Sequence, residues 1–349
     1  MMLRRHFLAA AGLVAATWKD RFMAAAEPDG AAGTPPNWQL PTFGGLQYWA
    51  DEFIYHTYRI QRHTSTGHYR LLNGDEERLV WGTYDQCRAK FDEIKQSEKL
   101  KPLPKRIVLT LHGMIRTRHS MNSMANYLRT TGGRTVYQVG YPSTHESMHD
   151  LAMSFDRLMR RFDEVEEVDV VCYSMGSLLL RHWLGDVAGE EAARQPAVEA
   201  GTSAYVPRRP RLRRCVMVGP PNNGAVRAHL WQTSMVTREL FSLVVGDAGE
   251  QLGPRFHEIK DRLATPHAEF GIIAGGKGDG AGWHDEIPGD DDGTVGVEET
   301  KLPGAADFTV VPVRHTFLTA DSRVQAMTES FFRHGYFASE AKRVRLAKS

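Results

Sequence analysis

Little in this chain points toward a disulfide-stapled, membrane-spanning or nucleic-acid-binding protein. Only three of its 349 residues are cysteine, Cys87, Cys172 and Cys215, an odd count that cannot form a closed disulfide framework. Cys172 and Cys215 lie in apolar runs, where a free thiol behaves as a small hydrophobe. The formal net charge is only +1, which gives no push toward nucleic acid and leaves an acidic partner dependent on a local patch. Beyond the N-terminus no apolar run approaches the roughly 20 residues of a membrane helix. No internal repeat is evident. What remains is an ordinary soluble composition, 42% hydrophobic and 24% charged, long enough for two average domains or one large α/β domain.

One basic patch exists: Arg208, Arg209, Arg211, Arg213 and Arg214 lead into the apolar run RCVMVG. It reads as a solvated strand entrance; the sharper alternative is an anion or peripheral membrane-surface contact. The N-terminus is more informative. Arg4 and Arg5 precede an apolar stretch from Phe7 to Ala16, too short to span a bilayer but suited to a signal peptide. RRHFLAAAG resembles a twin-arginine export signal, and Ala24, Ala25 and Ala26 offer a cleavage site. Residues 1–26 are therefore expected to be a signal peptide and 27–43 an Ala-, Gly- and Pro-rich linker, with export to the periplasm or beyond. Lys19, Asp20 and Arg21 interrupt the approach to that site. An uncleaved membrane anchor or a frayed amphipathic tail are the alternatives. The twin-arginine route carries folded proteins, which suits a chain that does not rely on disulfides.

From Phe53 to Trp81 residues alternate in character, with turn formers at Gly67 and Asn73-Gly74, predicting antiparallel strands. A charged helix follows over 84–99. Thereafter apolar strands alternate with helices: RIVLTL, a helix over 123–130, RTVYQVG, a helix through Arg161 opened by a capping box of Ser143 and Glu146, VDVVCY, SLLLRHWL, LRRCVMVG, FGIIAGG, FTVVPV and a helix over 323–334. Such alternation implies crossover units and a mostly parallel sheet covered on both faces. Residues 225–263 break the rhythm and read as core helix or as a cap over a site. A single domain is expected over 44–340, with a basic tail at 341–349.

In VDVVCYSMGSLLLRHW a buried strand runs into polar Ser174 before a helix begins. A sharp strand-to-helix turn exposes its apex side chain beside unpaired helix N–H groups, which favour negative charge. Such a turn needs small neighbours, and Gly176 is one. The alternative for Ser174 is an ordinary helix N-cap.

At this turn the chain resembles the α/β-hydrolase superfamily, in particular bacterial lipase-like serine hydrolases, over about residues 106–332. It departs from G-x-S-x-G at Cys172, where glycine is usual, although cysteine is small enough for the turn. The resemblance implies an α/β-hydrolase fold with a mostly parallel central sheet, helices on both faces and an N-terminal antiparallel extension. It implies Ser174 as nucleophile. In LTLHGM, His112 and Gly113 follow a strand as the family's oxyanion turn does, which makes the Met114 and Met175 N–H groups the oxyanion donors; His112 itself reads as a core histidine holding the loop. Asp292, in GDDDGTVGVEET, matches the family's acid, with Asp290 and Asp291 as rivals and a calcium loop as the other reading. His315, after the last strand, matches the base, with His284 as competitor. The order Ser, Asp, His is that of the family. GPPNNGAVRA resembles a Pro-x-x-Gly loop, with Asn222 and Asn223 lining a pocket or capping the next helix. The expected function is cleavage of small-molecule or lipid-like acyl esters, with no cofactor, metal or nucleic acid. The alternatives are an acyltransferase with the same three residues and a non-catalytic exported binding protein on this scaffold.

Overall fold

The computed structural model describes residues 45–188, 209–224, 251 and 255–348. The expected signal peptide and linker, Arg208 and most of the 225–263 segment lie outside these residues. After a 3-10 turn at Gly45–Tyr48 come β1 (Trp49–Tyr55), β2 (Tyr58–His63), β3 (Tyr69–Leu72), β4 (Arg78–Gly82) and α1 (Tyr84–Ser97). Next come β5 (Arg106–Leu111), α2 (Asn122–Thr130), β6 (Val136–Val139), α3 (Met148–Met159), β7 (Glu167–Tyr173) and α4 (Met175–His182). The remainder holds β8 (Arg211–Val218), α5 (Phe256–Lys260), β9 (Glu269–Gly275), α6 (Val297–Thr300), β10 (Asp307–Val311) and α7 (Ser322–His334).

Strands β5 to β10 form one sheet in the order β10-β9-β8-β7-β5-β6, and every pairing in it is parallel. Their unbroken apolar runs have a direct cause, because alternate residues feed two cores. Ile107, Leu109 and Leu111 pack with Leu151 of α3 and Leu178 of α4. Val108, Val171 and Val216 pack with Leu128 of α2 and Phe331 of α7. The order has one reversal. From β5 the chain crosses outward to β6, returns to β7 on the other side of β5, and then winds steadily to β10. The carboxyl ends of β5 and β7 therefore flank the switch point, where open α/β sheets leave a crevice.

The N-terminal strands form the expected antiparallel extension as a separate sheet, β1-β2-β3-β4. It is tied to the end of β6 by buried Asp51, whose N–H donates to Gly140 O (2.8 Å) and whose carboxylate accepts from Gly140 N (2.7 Å). One local expectation needs correction. The capping box does not form at Ser143 and Glu146: Ser143 is buried and its hydroxyl donates to Gln47 Oε1, while α3 is capped by Ser147, which accepts from Asp150 N. The four described arginines of the basic patch are all paired, Arg209 with Asp156, Arg211 with Glu167, Arg213 with Asp169 and Arg214 with Glu269. In the basic C-terminal stretch, Arg343 pairs with Glu269 and the Leu346 N–H donates to Ala305 O.

Candidate active site

Strand β7 delivers Ser174 with φ 52° and ψ −124°. A non-glycine residue in this region costs about 1–3 kcal/mol, so neighbouring structure must hold it. Its N–H donates to Val218 O at the end of β8 (2.9 Å), and its carbonyl accepts from Ser177 N (3.0 Å). Helix α4 lies close against β5: a Cβ on Gly176 would stand 2.8 Å from Leu111 O and 2.9 Å from His112 O. Only glycine fits there. Cys172, at the other small position, is buried with its Sγ 4.0 Å from Cys215 Sγ on β8.

Ser174 occupies the N-cap position of α4, yet its side chain makes no capping bond. Its Oγ instead lies 3.0 Å from His315 Nε2. The other ring nitrogen, Nδ1, lies 2.6 Å from Asp292 Oδ2. His315 comes from the segment after β10, and its N–H donates to Asp292 O (2.8 Å). Asp292 follows β9 and is 1% exposed. Its second oxygen, Oδ1, accepts from Thr294 N (2.9 Å) and Val295 N (2.8 Å). That turn fixes the carboxylate with one oxygen left for the imidazole. A base placed in this way holds a proton on Nδ1 and leaves Nε2 free to accept from the serine.

The rivals of these residues are engaged elsewhere. Asp290 accepts from Lys277 N and Gly278 N, and Asp291 from His284 N and Gly293 N. Each of the three neighbouring carboxylates thus has its own set of N–H donors. His284 Nδ1 accepts from Glu286 N.

Behind the serine, the turn after β5 brings Gly113 close: a Cβ there would meet Ser174 Cβ at 3.2 Å and Tyr173 Cε1 at 3.1 Å. His112 is buried, stacked on Tyr141 (centroids 3.9 Å), and its Nδ1–H donates to Gly113 O (2.8 Å). The Tyr141 hydroxyl donates to His112 O. Burial pushes the His112 imidazole down to about 4, so it is neutral at pH 7 and acts as a brace for the turn. Among the described residues, neither the Met114 nor the Met175 N–H meets a protein acceptor. For Met175, the first residue of α4, this is the ordinary state of a helix N-terminus.

Three supports escape a reading of the sequence. Gly219 (φ 56°) passes so close to His315 that a Cβ would lie 3.1 Å from its Cε1 and Nδ1. Gly275 ends β9 against Asp292, where a Cβ would lie 2.6 Å from the Asp292 Cβ. The Tyr173 hydroxyl donates to His315 O (3.0 Å). Each glycine closes an apolar strand run, which is the signal available for the first two. Asn222 accepts from Arg181 Nη1 and donates to Thr300 O, and Asn223 donates to Lys301 O; the segment that Asn222 or Asn223 would cap lies outside the described residues.

A parallel sheet with one winding reversal, a strained serine turn at the switch point and the chain order Ser, Asp, His define an α/β-hydrolase fold. No protein-family model matches the chain, and no curated protein matches it. Among solved structures it is similar to the lin2722 gene product of Listeria innocua, at 16% identity and TM-score 0.43, over 70% of this chain and 99% of that one. It is similar to mature BlEst2 lipase of Bacillus licheniformis, at 16% identity and TM-score 0.46, over 67% and 93%. It is also similar to Staphylococcus hyicus lipase, at 12% identity and TM-score 0.42, over 67% and 94%. None of these likenesses says what this chain acts on.

Proposed function

We propose that this protein is a serine ester hydrolase in which Ser174, His315 and Asp292 form the catalytic triad. The observation that carries the reading is the continuous hydrogen-bonded path from Ser174 Oγ through His315 to Asp292, built on a serine held in a strained conformation. His315 Nε2 accepts the Ser174 proton as Oγ attacks the ester carbonyl. Asp292 keeps the other proton on Nδ1 and stabilises the imidazolium that forms. In this reading the Met114 and Met175 N–H groups are the donors to the tetrahedral oxyanion, and a preorganised donor of this kind contributes ~10²–10³ in turnover. Loss of the alcohol, with the proton returned from His315, leaves an acyl group on Ser174. Water, activated by the same imidazole, releases it.

An apolar acyl group suits the rim. Ile115 follows the proposed oxyanion turn, is 46% exposed and has φ 57°, a strained state for a β-branched residue. Phe317, two residues beyond His315, is 62% exposed. The test is covalent labelling with a fluorophosphonate probe together with hydrolysis of short and long p-nitrophenyl esters. The wild type is expected to label stoichiometrically and turn over, and Ser174→Ala to do neither while staying folded. A folded wild type that neither labels nor cleaves any of these esters would refute the proposal.

A further inference from the structure

The far end of the helix that starts at Ser174 carries a second cluster, which ester chemistry does not use. His182 ends α4, and a π-helical turn, Trp183–Val187, follows directly; such turns often occur at functional sites. His149 faces it from the first turn of α3. His149 Nδ1 lies 2.6 Å from Asp186 Oδ2, and His182 Nε2 lies 3.2 Å from the same oxygen. One ligand atom from each of the three residues lies within 4.8 Å of the others.

His182 supplies an independent observation. It is 1% exposed, and among the described residues neither of its ring nitrogens has a hydrogen-bond partner, Asp186 Oδ2 standing beside Nε2 as an ion-pair neighbour. Leaving a buried polar atom unsatisfied costs about 1–3 kcal/mol, and a cation placed among the three groups would give His182 Nε2 a partner.

We propose that His149, His182 and Asp186 form a binding site for a divalent transition-metal ion, zinc by the character of the donors, with a fourth position open to water. Donor atoms bound to one zinc at about 2.0–2.2 Å stand roughly 3.3 Å apart, so the two measured separations need to change by less than 1 Å. Two imidazoles and one carboxylate form a borderline-soft set that suits zinc better than calcium or magnesium. Arg262, 3.4 Å from Asp186 with its side chain 56% exposed, must swing into solvent. The bound ion would pin α3 to the helix that begins at the reactive serine.

The experiment uses the untagged full chain, stripped with EDTA, titrated with zinc sulfate by calorimetry and with cobalt chloride by visible absorption. One equivalent per chain is expected, with a tetrahedral cobalt spectrum and a raised thermal midpoint. His149→Ala removes a half-exposed ligand without opening the core, and Asp186→Asn removes the charge. Each should weaken zinc binding by more than the ~10–100-fold typical of losing an outer partner and abolish the thermal shift, with the metal-free midpoint retained. No stoichiometric zinc uptake by the wild type, or undiminished uptake by His149→Ala, overturns the proposal. Neither result depends on ester turnover.

Discussion

Adding one methyl group at Gly176 tests the elbow more stringently than removing the serine. The Cβ of Gly176→Ala would lie 2.8 Å from Leu111 O, 2.9 Å from His112 O and 2.9 Å from Leu111 Cβ. Non-bonded atoms attract at about 3.5 Å, so the overlap is roughly 0.6 Å. Two of the three neighbours are backbone carbonyls at the end of β5, in the middle of the sheet, and cannot rotate away. Helix α4 has to move instead. Overpacking of this kind costs about 1–3 kcal/mol, which for a chain of this size is a fall of about 2–5 °C in thermal midpoint. The same displacement carries Ser174 away from His315. A misplacement near 1 Å costs ~10² in rate, so half of it should cost about 10-fold. Scanning calorimetry and ester kcat/KM, with the rate of fluorophosphonate labelling at 25 °C, measure the two effects separately. A variant with wild-type midpoint and turnover would show that α4 does not pack on β5 as described. A variant that loses stability but labels at the wild-type rate would show that reactivity does not depend on this turn.

Asp292→Asn presents an amide to His315 and favours the tautomer that cannot accept from Ser174; kcat should fall by ~10⁴, and a loss under 10-fold would remove Asp292 from the mechanism. His112 has a folded pKa near 4 against an ordinary value of about 6.5. The unfolded chain therefore binds the extra proton first, and the stability His112 contributes is complete above pH 6.5 and lost as pH falls toward 4, about 3 kcal/mol in all. His112→Asn should flatten that part of the stability profile measured by urea unfolding; an unchanged slope would mean that His112 is solvated. Glu146 acts with the opposite sign, because burial raises its carboxyl to about 7 and stability is lost as pH rises from its ordinary range through 7. Glu146→Gln should raise the thermal midpoint at pH 8 and leave it nearly unchanged at pH 4, and a shift independent of pH would contradict this origin.

The parallel sheet was legible because its strands are buried on both faces and so read as unbroken apolar runs. The elbow was legible for a related reason: a serine between Tyr173 and Met175, with glycine two residues on, has no place inside either a strand or a helix. The convergence of Ser174, Asp292 and His315 was written only as residue types in an order, since strands β8, β9 and β10 supply the distances between them. Ser143 and Glu146 misled because a capping pattern is local, whereas burial of Ser143 against Gln47 is decided by a segment almost a hundred residues away. The ion pairs of the basic patch were not legible for the same reason, because the partners Asp156, Glu167, Asp169 and Glu269 are scattered along the chain. Gly219 and Gly275 carried a signal, a glycine closing an apolar run, but only the side chain packed against each reveals its purpose.

Ser174, Asp292 and His315 come from the segments that follow β7, β9 and β10, strands bonded with β8 into one ladder, so the sheet sets the anchor points from which serine, acid and imidazole meet. Parting β9 or β10 from the strands beside them would pull the three side chains apart, so the candidate site and this edge of the sheet have a common breaking point.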